Sequence, residues 1–156
     1  MICFSRIDDR LIHGQVVTTW VNLFKVEQIV VLNDKLASDQ TQKNILAMAA
    51  PQGIKVVVLT IEKFAEIYRT KGLSRRTMLL FTNSIDVLST VNAGVPINEL
   101  NVGGMRFQEG RTQLTKALSV TNEERSAFQQ LLDKGVTVTI QMVPNDEKVN
   151  LTEVIK

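Results

Sequence analysis

The stretch that decides the fold is the opening one, Met1–Phe24, MICFSRIDDRLIHGQVVTTWVNLF. Met1–Ser5 reads as a strand. Arg6–Gln15 is polar and crowded with groups capable of chemistry. Beyond it Val16, Val17, Trp20, Leu23 and Phe24 recur at the spacing of one helical face. Strand, polar loop and amphipathic helix together form the opening unit of an α/β chain, and the remaining sequence repeats that alternation.

Working outward, Ile29–Leu32 (inside Glu27–Asn33), Lys55–Leu59, Thr77–Phe81 and Leu100–Val102 read as strands two to five. Leu118–Val120 reads as a sixth and Val136–Gln141 as a seventh. These runs lack the polar alternation of a half-exposed sheet, which suits strands covered on both faces. Helices are expected at Asp39–Ala50 and Ile61–Tyr68. Another is expected after Ser84, read as its cap, carrying Val87, Leu88 and Val91 and stopping at Gly94. Thr121-Asn122-Glu123-Glu124 has the form of a capping box, in which the threonine oxygen and the glutamate carboxylate each satisfy an amide of the helix start. Phe128, Leu131 and Leu132 are its buried stripe and Gly135 its stop. Gly72–Arg76 reads as a loop, and Asn145–Lys156 as a polar segment with room for a short final helix.

The chain has 156 residues, a formal net charge of +2, 44% hydrophobic and 22% charged residues. That size fits one domain spanning 1–156, with a core that needs no disulfide or metal staple. One cysteine, Cys3, and one histidine, His13, exclude a disulfide framework, cysteine-rich clusters and paired-histidine zinc sites. Cys3, inside the first strand, reads as an inert small hydrophobe. The charge balance makes no demand for nucleic acid. No apolar run approaches the ~20 residues that span a bilayer. Arg6, Asp8, Asp9 and Arg10 interrupt anything resembling a signal peptide, so the expected location is the cytoplasm. Neither a Walker loop nor a Gly-x-Gly-x-x-Gly fingerprint is present.

Ligands of open α/β sheets sit beyond the carboxyl ends of the strands. Three segments fall there: Arg6–Gln15, Thr82-Asn83-Ser84 and Gly103-Gly104-Met105-Arg106. His13 stands at the start of the first helix, where the positive end of the dipole disfavours imidazolium and favours a bound anion. A neutral imidazole there is a nucleophile. Arg10 and Arg6 offer bidentate donors to phosphate oxygens. Asp9 or Asp8 can orient an arginine or the ring. Gly14 removes a side chain where backbone must approach an anion. Each feature also has a plainer reading. A lone histidine at a helix start commonly sits on the surface. Two aspartates between two arginines commonly form a solvated ion-pair cluster of small worth. Gly103-Gly104 reads equally as a tight turn, Trp20 as core, and Arg106, Arg111 and Lys116 as a solvated face.

Arg6–Val16, RIDDRLIHGQV, resembles the signature of the IIB component of bacterial sugar phosphotransferase systems of the mannose/fructose/sorbose family. The resemblance continues through Leu80–Asn83, Asn101–Met105, Gly110–Leu114 and Gly135–Val138. It implies a three-layer domain whose seven-stranded sheet is mostly parallel with one antiparallel strand, flanked by helices on both faces. It also implies that His13 is a phosphohistidine, that Arg10 pairs with the phosphoryl group, and that Asp9 is the neighbouring acid. Arg6, Gly14, Gln15, Thr82, Asn83, Gly103 and Gly104 would support the phosphate. The implied activity is a relay: a IIA phosphocarrier phosphorylates His13, which passes the group to a sugar of the mannose, fructose, sorbose or N-acetylhexosamine class held by membrane components IIC and IID. These partners would bring the chain to the inner face of the membrane. Neither metal nor cofactor is implied, because nitrogen is nucleophile in one step and leaving group in the next. The sugar and the oligomeric state, including a homo-oligomer, stay open.

Two other readings stand beside this one. A non-catalytic α/β module could hold a small phosphorylated ligand at its helix N-termini, and a regulatory relative could accept phosphate without transport. In the relay reading, Arg106 and Arg111 belong to a rim that meets IIA, together with the loops after Phe81 and Val102.

Overall fold

The computed structural model describes residues 1–155. β1 (Ile2–Asp8) is followed by α1 (Gly14–Phe24), β2 (Gln28–Leu32), the short α2 (Asp34–Ala37), α3 (Gln40–Met48) and β3 (Lys55–Leu59). Then come α4 (Ile61–Thr70), β4 (Thr77–Phe81), α5 (Ser84–Asn92) and β5 (Glu99–Gly104). The chain ends through β6 (Thr112–Gln113), β7 (Ser119–Val120), α6 (Asn122–Asp133), β8 (Thr137–Ile140), β9 (Val149–Asn150) and a 3-10 turn, Leu151–Glu153. The seven-stranded sheet has the order β3-β2-β4-β1-β5-β8-β9. All its pairings are parallel except that of β8 with β9.

Chain direction explains the layers. From β1 the chain steps outward to β2 and β3, then returns to β4 and moves past β1 to β5 and β8. Right-handed crossovers place helices on opposite faces for opposite directions of travel. Val17, Val21 and Leu46 of α1 and α3 accordingly pack with Ile29, Val31, Met78 and Leu80. Phe64, Val87 and Phe128 of α4, α5 and α6 pack in a second, larger cluster with Val30, Leu79, Phe81, Val102 and Val138. Central strand β4 is buried at all five positions, as its unbroken apolar run requires. The β1 connection leaves toward one face, while those of its neighbours β4 and β5 lead to helices on the other. Such a divergence opens a crevice at the carboxyl ends of the strands.

Several expectations change in detail. β1 continues to Asp8, so Arg6 and Asp8 are strand residues, not loop residues. Gly103 and Gly104 belong to β5 and do not form a turn. Leu118–Val120 contributes only a two-residue strand, β7, which pairs antiparallel with β6 outside the main sheet. The seventh place is taken by β9, from the segment read as polar; its pairing seats Leu151 and Ile155 in the core. The cap of α5 is Asn83, whose Oδ1 accepts from the Asp86 amide at 2.9 Å. Ser84 is buried and donates instead to the Glu124 carbonyl at 2.8 Å. The capping box at Thr121 and Glu124 forms as expected. Among the described residues no helix is long and apolar enough to cross a membrane.

Candidate functional site

The crevice beside β1 is occupied by residues Asp8–Gly14. Asp8 ends the strand, and its amide-bearing successors turn sharply: Asp9 donates its N–H to the Gly104 carbonyl at 3.0 Å, and Leu11 donates to the Asp8 carbonyl at 2.8 Å. Leu11 has φ 58°, an unusual left-handed conformation for a branched side chain, and Gly14 has φ 47°. Gly14 therefore serves by its backbone freedom, since a Cβ built there would meet open space.

His13 is the N-cap residue of α1, with extended backbone angles and no side-chain bond to the helix amides. The first-turn N–H groups thus point into the crevice without a side-chain cap. The imidazole is pinned between two acceptors. Nδ1 lies 3.2 Å from the Leu11 carbonyl oxygen, and Nε2 lies 3.9 Å from Asp8 Oδ2. Nε2 is enclosed and has no hydrogen-bond partner, although the ring as a whole is 26% exposed.

Asp8 organises this corner. Its carboxylate is buried; Oδ1 accepts from the Arg10 amide at 3.1 Å and from Arg10 Nε at 3.3 Å, while Oδ2 accepts from Arg6 Nη2 at 3.1 Å. Arg10, about one-third exposed, bonds to Asp8 through its amide and Nε and through neither terminal nitrogen. Arg6 is 0% exposed and cannot touch a ligand in the crevice directly, contrary to the expectation of a phosphate contact. Its guanidinium donates to Asn101 Oδ1, to the Gln141 carbonyl at 3.1 Å and to the Met142 carbonyl at 3.0 Å. It also lies 5.3 Å from the centroid of the Trp20 ring, whose Nε1 donates to the same Met142 carbonyl at 2.9 Å. Burial pulls the Arg6 pKa down, and the adjacent Asp8 charge opposes that shift. Gly103 makes the arrangement sterically possible: a Cβ there would overlap the Arg6 guanidinium. Gly104 lies beneath Arg10 and Asp8, with ordinary van der Waals room for a Cβ.

Asp9 does not face the histidine. Its Oδ2 accepts from the Arg106 amide at 2.8 Å and from Arg111 Nη1 at 3.4 Å, and its Oδ1 sits 3.3 Å from Arg106 Nε. The acid beside His13 is Asp8, one of the two aspartates that the sequence offers for orienting the ring and not the one to which the family resemblance points. Alternation along β1 was the signal available, since consecutive strand residues face opposite ways. Arg111 likewise departs from a solvated face. It is buried and grips Glu124 in a bidentate pair at 2.9 and 2.8 Å, while Nη1 donates to the Arg106 carbonyl at 2.8 Å.

Thr82 and Asn83 are used locally. Asn83 donates through Nδ2 to Thr82 Oγ1 at 3.0 Å and to Asp86 Oδ2 at 3.2 Å, on the side where Asn33 also donates to Asp86. Gln15 is exposed in the first turn of α1, its carbonyl accepting from Thr19 Oγ1. The crevice therefore unites His13, Arg10, Asp8, Gly14 and Gly104, with Arg6 and Gly103 buried behind them. This set can hold a small anion against a helix N-terminus and one exposed guanidinium, beside a nucleophilic ring nitrogen. Among the described residues no group of three or more acidic, histidine or cysteine side chains is placed to hold a metal ion.

The model of the sorbose-subfamily IIB component of the phosphotransferase system matches residues 2–156. The chain is 41% identical over 155 residues to the sorbose-specific EIIB component of Klebsiella pneumoniae, covering 99% of this chain and 94% of that one. It is 40% identical over 156 residues to the mannose-specific EIIAB component of Escherichia coli K12, covering 99% of this chain but 48% of that one. The crystal structure of the IIBSor domain of the Klebsiella pneumoniae sorbose permease superposes with TM-score 0.95 at 40% identity, covering 99% and 96% of the two chains.

Proposed function

The chain belongs to the sorbose-subfamily IIB components of the sugar phosphotransferase system, and from that premise we propose that His13 is the residue that carries the phosphoryl group. The observation that supports this reading best is the place of the chain's one histidine. It sits at an uncapped helix N-terminus, beside an arginine fixed by a buried aspartate. A phospho-IIA histidine donates, and the sugar on membrane components IIC and IID receives. Residues 1–156 act as one IIB domain, held at the inner face of the membrane by those partners.

In the first step the attacking lone pair is that of Nδ1. Nε2 is enclosed and faces Asp8, so it has no approach path for a phosphorus atom. The Nδ1–P bond forms as the N–P bond of the donor histidine breaks, and the donor nitrogen keeps the electron pair. Because Nδ1 lies against the Leu11 carbonyl oxygen, attack requires that the ring carry its one proton on Nε2 and turn the Nδ1 lone pair out of that contact. The Nε2 proton then points toward Asp8, which favours the tautomer required. Arg10 and the α1 amides offset charge on the three phosphoryl oxygens, and positioning supplies most of the rest. In the second step a sugar hydroxyl oxygen attacks phosphorus, Nδ1 leaves with the electron pair of the N–P bond, and the hydroxyl proton passes to the ring nitrogen so freed or to solvent. Asp9 and Arg6 act at one remove: Asp9 ties the loop to Arg106 and Arg111, and Arg6 fixes Asp8.

Incubation with a phosphorylated IIA domain, followed by intact-mass measurement, tests the proposal. The native chain gains one phosphoryl group and His13→Ala gains none while keeping its melting temperature. Retention of one group by the variant overturns the assignment. A fixed phosphoryl stoichiometry also separates the relay from a module that only binds a phosphorylated ligand, which would carry none.

A further inference from the structure

The turn before α1 keeps one residue in a conformation that its side chain disfavours. Leu11 carries a Cβ yet has φ 58°, a left-handed backbone that residues other than glycine seldom adopt. Two contacts hold it there. Its amide donates to the Asp8 carbonyl at 2.8 Å, and its side chain, 8% exposed, lies in the cluster with Val17, Val21 and Leu80. Held this way, Leu11 sets its carbonyl oxygen 3.2 Å from His13 Nδ1. The other acceptor near the ring, Asp8 Oδ2, is 3.9 Å from Nε2, beyond hydrogen-bond length. The nearer oxygen therefore decides the tautomer of the neutral ring. The proton rests on Nδ1 and the lone pair on Nε2, which is enclosed and has no partner. In that state the nucleophilic nitrogen is masked. Nor can a phosphorus atom and its three oxygens be bonded to Nδ1 while a carbonyl oxygen stays in that place.

We propose that Leu11 is a backbone latch on the relay: a positioning residue strained in the free chain and relaxed once His13 is phosphorylated. The inference rests on the relay reading of the same site. Backbone strain persists only where surrounding contacts offset it. One such contact is the Nδ1–H bond to the Leu11 carbonyl, and transfer removes it. The proton leaves Nδ1 for solvent, and a solvent proton takes Nε2. The freed Nδ1 lone pair then forms the N–P bond as the donor's N–P bond breaks. With no hydrogen left on Nδ1, the ring no longer holds the carbonyl inward, and Leu11 returns to negative φ. The free and phosphorylated forms thus present loops of different shape, and the strain released favours the phosphorylated one. Leu11 in this way sets how readily the chain accepts a phosphoryl group and how readily it gives one up.

The test uses the full chain and a phosphorylated IIA domain, and reads the equilibrium ratio of phosphoryl groups on the two proteins. Packing lost equally from both forms of a variant cancels in that ratio, whereas strain present in one form does not. In Leu11→Gly the strain is absent, so the ratio is expected to move toward IIA by about tenfold, the worth of one left-handed residue. Leu11→Ile keeps the side-chain volume but branches at Cβ, which disfavours positive φ further, so its ratio moves toward the phosphorylated chain. A ratio unchanged in Leu11→Gly, or shifted the same way in both variants, overturns the proposal. Where Leu11→Gly does not fold, the sign of the Leu11→Ile shift decides. The native chain supplies a second measurement, because His13 is its one histidine and gives unambiguous ring-nitrogen NMR signals. In alkaline solution, where the ring carries one proton, that proton is expected on Nδ1 of the free chain; finding it on Nε2 overturns the latch. Absence of any phosphoryl group on the native chain instead overturns the relay reading itself.

Discussion

A carboxylate with one oxygen for each of two arginines is an effective way to hold a guanidinium still. Asp8 does this for Arg10 from beneath, and Arg10 keeps its remaining donors for a ligand. Replacing Arg10 by lysine keeps the charge but removes the planar fork, and charge-assisted hydrogen bonds are worth about 1.5–3 kcal/mol each. Transfer from phospho-IIA to Arg10→Lys is therefore expected to slow by roughly ten- to a hundredfold where the bond forms chiefly in the transition state. Stopped-flow rates equal to those of the native chain would remove Arg10 from the mechanism. The places of His13 at the start of α1 and of Arg10 in the loop before it were legible in the sequence, because a histidine behind a polar loop at a helix start is a local pattern. Asp8 and Arg6 were not. Their roles depend on β1 extending to residue 8 and on β5 offering Gly103 as the space for a guanidinium. Nothing within Arg6–Gln15 reports that Asn101, Gln141 and Met142 close around Arg6.

Among the elements, α6 shows how a local signature acquires a long-range duty. The capping box of Thr121 and Glu124 is written in four consecutive residues and forms as the spacing requires. The same Glu124 carboxylate also receives the Arg111 fork, so the helix start anchors the turn after β5. Arg106 and Arg111, alike as exposed rim charges in the sequence, thus differ in kind. Arg111→Glu sets two carboxylates against each other in a buried site and is expected to cost about 3–5 kcal/mol of stability. Arg106→Glu loses a mostly exposed ion pair with Asp9 and should cost about 1 kcal/mol, well below Arg111→Glu, with slower transfer from IIA at low salt. Thermal or denaturant unfolding of the two variants decides this; equal stabilities would mean that the Arg111–Glu124 pair holds nothing. Strands that are unbroken apolar runs, such as β3 and β4, were legible to the residue. β9 was hidden because an edge strand of two residues, Val149–Asn150, has no period to read and is defined only by its partner β8.

Across the whole molecule, the sheet's order and the alternation of faces follow from the strand–helix rhythm and the handedness of crossovers, which is why the architecture could be anticipated from sequence. The divergence of connections around β1 collects the loops after β1 and β5 at one end, and the segment after β8 joins them through Met142. That junction has an optical consequence. Trp20 is the chain's sole tryptophan, and its indole N–H shares the Met142 carbonyl with Arg6, whose cation lies over the ring. A fluorophore so close to a fixed charge is sensitive to any change in that charge's position, and Arg6 is joined to His13 through Asp8. Loading His13 with a phosphoryl group should shift the emission of the native chain, and His13→Ala should show no shift under the same donor. Unchanged emission at full phosphorylation would mean that Arg6 does not respond to the event above it. Otherwise the relay carries its own unlabelled reporter, and each turnover can be followed as a flicker of indole light.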